Sequence, residues 1–200
     1  MIIDIFLPCR SSSVRVKNKN IKKFSNKKFG LFEIKILQLI SIKGIRNIIV
    51  STNDKKIINY LKKKKFKKVV INIRPNYLST SKTSTDQLIK YVPKIIKSDH
   101  ILWTHVTSPF FNTSDYENAI KLYKKNIKKN DSLMGVTKIQ DFIYDNKKPI
   151  NFNKNKEKWP RTQTLKKLYI INNTIFDEHI YHLGKEYIKE NSIVLDLGSN

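Results

Sequence analysis

A chain of 200 residues, 40% of them hydrophobic, is long enough for one domain with a real core and short for two domains of ordinary size. Its 40 Lys and Arg against 16 Asp and Glu give a formal net charge of +24, and its single cysteine, Cys9, excludes an internal disulfide or a cysteine-built zinc site. No apolar run approaches the length of a membrane span, and the N-terminus lacks the order of charge, apolar run and small-residue cleavage site of a signal peptide, so a cytoplasmic protein without a membrane partner is expected.

Residues 2–7 (IIDIFL) read as a buried strand. Residues 8–20 follow as a loop of Ser, Arg and Lys. Apolar residues at helical spacing then run over 31–42, between Gly30 and Gly44. A second strand is expected at 47–52, a helix at 55–64 capped by Asn53 or Asp54, and a third strand at 69–73. After the polar loop 74–82 come a helix over 83–96, a fourth strand at 100–105 and a break at Thr107-Ser108-Pro109. Ser114 or Asp115 is placed to cap a helix through about residue 125, and 132–138 (SLMGVTK) reads as a fifth strand. From 141 to 161 the pattern dissolves into Asn, Lys and single aromatics, as in an arm or a loop. Late strands are expected at 168–171 and 193–195, with a helix around 174–182 between them.

This βαβαβαβαβ order, with strands that are short apolar runs rather than alternating patterns, implies an α/β fold: a mostly parallel sheet with helices on both faces. Ligands of such sheets lie at the carboxyl ends of the strands, and the unusual polar segments 8–20, 51–54, 74–85 and 105–112 all fall there. Arg10, Arg15, Lys17 and Lys19, among Ser and backbone amides, have the composition to hold a polyphosphate. A solvated basic loop explains the same composition. The loop is neither a Walker A sequence nor a GxGxxG turn. Asp196, after the last expected strand, is a candidate Mg²⁺ ligand or a surface acid. Among the histidines, His105 at a strand end is a ligand, a base or a structural hydrogen-bonder, and His100, His179 and His182 have no metal spacing. Cys9 reads as a small packed residue. Trp103, Phe110, Phe111 and Trp159 read as packing residues rather than base stackers.

The charge is distributed, not clustered. Lys travels along the whole chain with Ile and Asn, residues favoured together by AT-rich codons, and no aromatic-interleaved RNA motif accompanies it. Nucleic acid is therefore a minor reading. The densest run, Lys62 to Lys65 with Lys67 and Lys68, fits a solvated helix end, where Lys also suits the C-terminal dipole.

Several segments, in order, resemble the CMP-N-acylneuraminate cytidylyltransferase family. "LPCRSSSVRVKNKNIKKF" resembles its opening P-A-R-[SG]-G-S-K-R-x-P-x-K-N-I. "IIVSTND", "INIRPNYLSTSKTST", "THVTSPFF" and "WPRTQTLKKLYIINNTIF" resemble its later segments, and "IVLDLGSN" stands where the family has a metal-binding D-x-D. The resemblance covers nearly the whole chain. It implies a Rossmann-like, three-layer α/β/α nucleotidyltransferase fold in a single domain over 1–200. A protruding arm at 141–161 would close over the site or pair two subunits into a homodimer. The family's pattern continues into a last helix that has no counterpart before Asn200.

The implied activity is transfer of CMP from CTP to the anomeric hydroxyl of a sialic acid or related nonulosonic acid, with Mg²⁺ and release of pyrophosphate. The implied nucleotide site is Arg10, Ser11, Ser13, Arg15, Lys19, Asn20, Arg74, Thr85, Thr107 and Ser108, with Arg10 and Lys19 as the catalytic cations. His105, Arg161 and Asn172 would face the sugar, and Asp196 would hold the metal. The family pattern is not kept at Ser12, Val14, Ser81, Asn173 and Gly198, nor at His105, which stands for a Gln. Another base or sugar, a retired nucleotide-binding protein and a basic nucleic-acid binder are the alternatives.

Overall fold

A computed structural model describes residues 1–11 and 16–136 together with the backbone of three later strands, 142–145, 168–171 and 196–197. The chain divides into two compact units, Met1–Gly135 with Asn191–Asn200, and Val136–Glu190. The first unit carries β1 (Ile3–Pro8), α1 (Gly30–Ile40), β2 (Ile48–Thr52), α2 (Lys55–Lys64), β3 (Val69–Ile73), α3 (Thr85–Ile95), β4 (His100–Thr104), α4 (Thr113–Asn126) and β7 (Asp196–Leu197). The second carries β5 (Phe142–Asp145) paired in parallel with β6 (Leu168–Ile171).

All pairings in the five-stranded sheet of the first unit are parallel, in the order β3-β2-β1-β4-β7. The chain winds outward from β1 through β2 to β3, then returns to place β4 on the other side of β1. That reversal opens a crevice between β1 and β4 at the carboxyl edge, the usual ligand position in open α/β sheets. β1 and β2 are buried along nearly their whole length, which is why their sequences are continuous apolar runs. Side chains alternate between two cores. Ile5, Leu7, Ile48 and Val50 pack with Phe32, Ile36 and Leu39 of α1, Ile57 and Leu61 of α2, and Tyr116 and Ile120 of α4. Phe6 and Ile49 face the other way, against Val92 and Ile96 at the end of α3. The sheet thus lies between helices on both faces, as the strand–helix alternation implies. No helix among the described residues is long and apolar enough to cross a membrane.

Local chemistry sets the helix starts. Asp54, not Asn53, caps α2 by accepting the Lys56 amide at 2.8 Å. α3 begins at Thr85 because Ser84 and Gln87 form a reciprocal capping box. α4 is capped by Asn112, which accepts the amides of Ser114 and Asp115, while Asp115 reaches back to the Asn112 amide at 2.8 Å. The expected caps Ser114 and Asp115 therefore belong to the first turn.

Three expectations need correction. Residues 132–136 form no strand: Met134 is 38% and Val136 79% exposed, so no neighbour covers the apolar side chains that a strand here would have to bury. The strand of that region is β5. Asp196 lies within the last strand, not after it, with Trp103 as its register partner on β4. Phe110 is 92% exposed and not a packing residue. The rest of the arm at 141–161, the helix at 174–182 and the strand at 193–195 lie outside the described residues.

The amino edge of the sheet is closed by a buried carboxylate. Asp4 accepts from both Nε and Nη2 of Arg46 and from the Asn47 amide at 3.1 Å, tying β1 to the start of β2. Burial pushes the Asp4 carboxyl up, but the hydrogen bonds from Arg46 and the Asn47 amide outweigh it and hold the carboxyl below its ordinary value. A depressed carboxylate contributes stability above its unfolded pKa and loses it as pH falls through its folded pKa. Asp4→Asn is therefore expected to lower the unfolding free energy at neutral pH by about 1–3 kcal/mol. The difference from the parent should vanish in strong acid, as read by urea unfolding at a series of pH values.

Candidate active site

The crevice between β1 and β4 opens into a cleft of about 240 Å³. From the β1–α1 loop it takes Arg10, Lys19 and Asn20. The β3–α3 loop gives Arg74, Thr80, Ser81 and Thr83, and the segment after β4 gives His105, Val106 and Thr107. Three strand ends far apart in sequence thus bring three cations and several hydroxyls to one cleft, with no carboxylate among the described residues of its lining.

Arg10, Asn20 and Arg74 are held by neighbours. The Cys9 amide bonds to the Ser51 carbonyl at 2.9 Å, which seats the start of the loop on β2. Asn20 Nδ2 donates to the Arg10 carbonyl at 3.2 Å, and the Asn20 carbonyl accepts the Phe32 amide at 2.8 Å, so one residue ties the loop to its own beginning and to α1. The Arg10 guanidinium donates across the cleft to the Thr80 carbonyl. Ser11 lies outside the lining; its amide donates to Asn53 Oδ1 at 2.9 Å.

Arg74 is only 4% exposed. Its Nε donates to Ser51 Oγ at 3.2 Å and its Nη2 to the Ser51 carbonyl at 2.9 Å. Ser51 in turn donates to Asn72, whose amide donates to Tyr91 on α3. Burial pulls the Arg74 guanidinium below its ordinary value, and Arg10 nearby adds to this. No carboxylate pairs with it among the described residues. A buried guanidinium without a carboxylate partner at a cleft wall is a position suited to an anionic ligand.

His105 receives the Trp103 indole N–H on Nε2 at 3.1 Å, which places the proton of the neutral ring on Nδ1. Trp103 itself packs edge-on against Phe6, with ring centroids 4.7 Å apart. Burial pushes the Cys9 thiol up to about 12, so it is an inert core residue.

The structure brings Arg10, Lys19, Asn20, Arg74, His105 and Thr107 together. Ser108 is not on the lining. Thr85 is exposed on the first turn of α3, and Thr83, two residues earlier, occupies the lining instead. Ser13, Arg15, Arg161 and Asn172 lie outside the described residues, as does the side chain of Asp196. Thr80 and Thr83 on the lining, and Asn53 and Ser51 behind it, are further members of the site that were not among the individual candidates. The density of hydroxyls in residues 79–85 (STSKTST) was the available signal for the first two.

A family model described as Cytidylyltransferase matches residues 5–191. The chain belongs to the cytidylyltransferase family. No curated protein matches this cytidylyltransferase-family chain significantly. Among solved structures it is similar to a CMP:2-keto-3-deoxy-manno-octonic acid synthetase complexed with CTP, at 15% identity and a TM-score of 0.51, over 72% of this chain and 52% of that one. It is also similar to the 4-diphosphocytidyl-2C-methyl-D-erythritol synthase of Anaerococcus prevotii, at 14% identity and a TM-score of 0.55, over 92% and 95% of the two chains. The chain thus spans about half the length of the first relative and nearly all of the second. At these identities the likeness concerns the fold, an α/β nucleotidyltransferase fold.

Proposed function

We propose that this protein transfers CMP from CTP to the anomeric hydroxyl of an acidic sugar, a sialic acid or related ulosonic acid. The observation that carries the reading is the convergence of Arg10, Lys19 and Arg74 on one cleft at the β1/β4 switch point. The sugar hydroxyl oxygen bonds to the α-phosphorus, and the bond from that phosphorus to the bridging β-phosphate oxygen breaks. Pyrophosphate leaves with the electron pair, and the hydroxyl proton passes to solvent. Three cations neutralise charge on the triphosphate and on the departing pyrophosphate, so positioning and electrostatics supply most of the catalysis.

Mg²⁺ is the cofactor implied. Among the described residues, no group of three or more His, Cys, Asp or Glu forms a metal site. One carboxylate with phosphate oxygens and water is nonetheless a donor set that Mg²⁺ accepts. Asp196 is the residue that would supply it, because its backbone pairs with Trp103 of β4, the strand beside β1. When bound, the ion would add to the neutralisation of phosphate charge.

The test is pyrophosphate release from each of the four nucleoside triphosphates with a panel of sugar acids, including 2-keto-3-deoxy-manno-octonic acid, over a range of Mg²⁺. Release with CTP and an acidic sugar is expected, with Asp196→Asn needing more Mg²⁺. CTP binding without release under any condition would leave a retired nucleotide-binding protein. Within the same reading, Arg161 pairs with the sugar carboxylate. That charge is unchanged through the reaction, so Arg161→Ala is expected to raise the sugar KM while leaving kcat within about threefold. The segment 141–161 would serve as a dimer arm, and a full-length chain that sediments as a monomer would remove that element of the proposal.

A further inference from the structure

Lys35 sits in the middle of α1 with its side chain wholly buried. Its Nζ donates to the Phe111 carbonyl at 3.0 Å and to the Tyr116 hydroxyl at 2.9 Å, and lies 4.8 Å from the Tyr116 ring centroid. Tyr116 is itself fully buried, and its hydroxyl meets Thr104 Oγ1 at 2.6 Å. Because Lys35 can only donate here, the Tyr116 hydroxyl hydrogen is left for Thr104. One turn along α1, Gln38 Nε2 donates to the Pro109 carbonyl at 2.8 Å, and the Gln38 carbonyl accepts Thr113 Oγ1 at 2.9 Å. The segment from Thr104 to Thr113 is therefore fastened to α1 through the carbonyls of Pro109 and Phe111 and the Thr113 hydroxyl, and to the end of β4 through Tyr116. This same segment carries His105, Val106 and Thr107 into the cleft.

Space filling alone does not account for this lysine. It stands on the buried stripe Phe32–Ile36–Leu39, where an apolar side chain would pack at less cost. No carboxylate pairs with it among the described residues, although Asp115 contributes at longer range. Burial pulls its ammonium down to about 8, a measure of how unfavourable the placement is for the charged form. What the lysine provides, and a hydrocarbon could not, is a pair of donors directed at the turn after β4.

Resting on the cytidylyltransferase reading for its consequence but not for its geometry, we infer that Lys35 is a positioning residue, which with Gln38 holds the Thr107-Ser108-Pro109 turn so that His105 and Thr107 meet the nucleotide in a fixed place.

The experiment compares Lys35→Met, which fills the same volume without donors, with Tyr116→Phe and the double variant, all in the full chain. Three quantities are read: the melting temperature, amide exchange at Ser108 and Phe111, and the Kd for CTP. Those two amides close the turn, bonding to the carbonyls of His105 and Ser108. Lys35→Met is expected to leave Tm within about 4 °C of the parent, because loss of the Phe111 bond is offset by removal of a buried charge. It should speed exchange at the two amides about tenfold while leaving β1 and β2 unchanged. CTP should bind about tenfold more weakly, and the double variant should fall short of the sum of the singles. Unchanged exchange and unchanged Kd would overturn the inference. A large fall in Tm with faster exchange throughout would also overturn it, in favour of a purely structural lysine. If the parent does not bind CTP, the cytidylyltransferase reading falls, and the local exchange at Ser108 and Phe111 still decides whether Lys35 holds the turn.

Discussion

Arg10→Ala is expected to cost about 2–4 kcal/mol of transition-state stabilisation, or about 30- to 1000-fold in kcat/KM for the nucleotide. Two losses combine. The first is a forked cation at the cleft wall, whose fixed direction lets it meet phosphate oxygens without reorganising. The second is a strut. The Arg10 guanidinium bonds to the Thr80 carbonyl, so it links the loop after β1 to the loop after β3 across the ligand position. Its own carbonyl is held by Asn20, which places it independently of any ligand. Arg10→Lys should recover part of the charge but not the strut or the fork, and fall between the two. Steady-state kinetics with CTP varied at saturating sugar checks this. A change of less than threefold in Arg10→Ala would remove Arg10 from the proposed phosphate site.

Gly30→Ala is expected to destabilise the protein by about 2–5 kcal/mol and to weaken nucleotide binding with it. Gly30 opens α1 with φ +50°, and a Cβ there would stand 1.9 Å from the Lys22 carbonyl oxygen. The clash is with backbone, so no rotamer change relieves it. Either the helix start or the 16–29 loop must move. That loop carries Lys19 and Asn20, and the Asn20 carbonyl bonds to the Phe32 amide in the first turn of the same helix. Stability and ligand affinity are coupled at this point for a geometric reason. Gly44→Ala is the control: it also has positive φ, +74°, but its Cβ would meet only the end of the Lys124 side chain, at 3.8 Å. It should lose about 1–2 kcal/mol of stability from the backbone conformation alone, with no change in affinity for CTP. Thermal unfolding with and without CTP separates the two glycines. Equal effects on CTP binding would show that the Lys22–Gly30 contact does not hold the site.

Much of the architecture was legible because it is local. Continuous apolar runs at 2–7 and 47–52 become strands buried on both faces, and a basic hydroxyl loop with no glycine of its own follows the first. Helical spacing over 31–42 becomes α1. The placement of polar loops on one edge follows from strand–helix alternation alone, since every strand then points the same way. Arg10, Lys19, Asn20 and Arg74 could be named as candidates on that basis.

What tertiary structure decided is which distant segments meet. Winding order 3-2-1-4 brings the loop after β3 across β1 to face the segment after β4, and local periodicity carries no information about that order. Thr83 rather than Thr85 reaches the cleft because the Ser84–Gln87 capping box fixes where α3 begins. The strand expected at 132–138 is absent over 132–136 because a short mixed run becomes a strand only when a neighbour buries it. Lys35 occupies a core position in the helical stripe, yet a lysine reads as surface until Phe111 and Tyr116, 76 and 81 residues away, are found to be its acceptors. Arg74 likewise gains its role from Ser51 on another strand. Composition and periodicity report whether a side chain prefers water. Only the folded chain supplies the partner that lets a charge leave it.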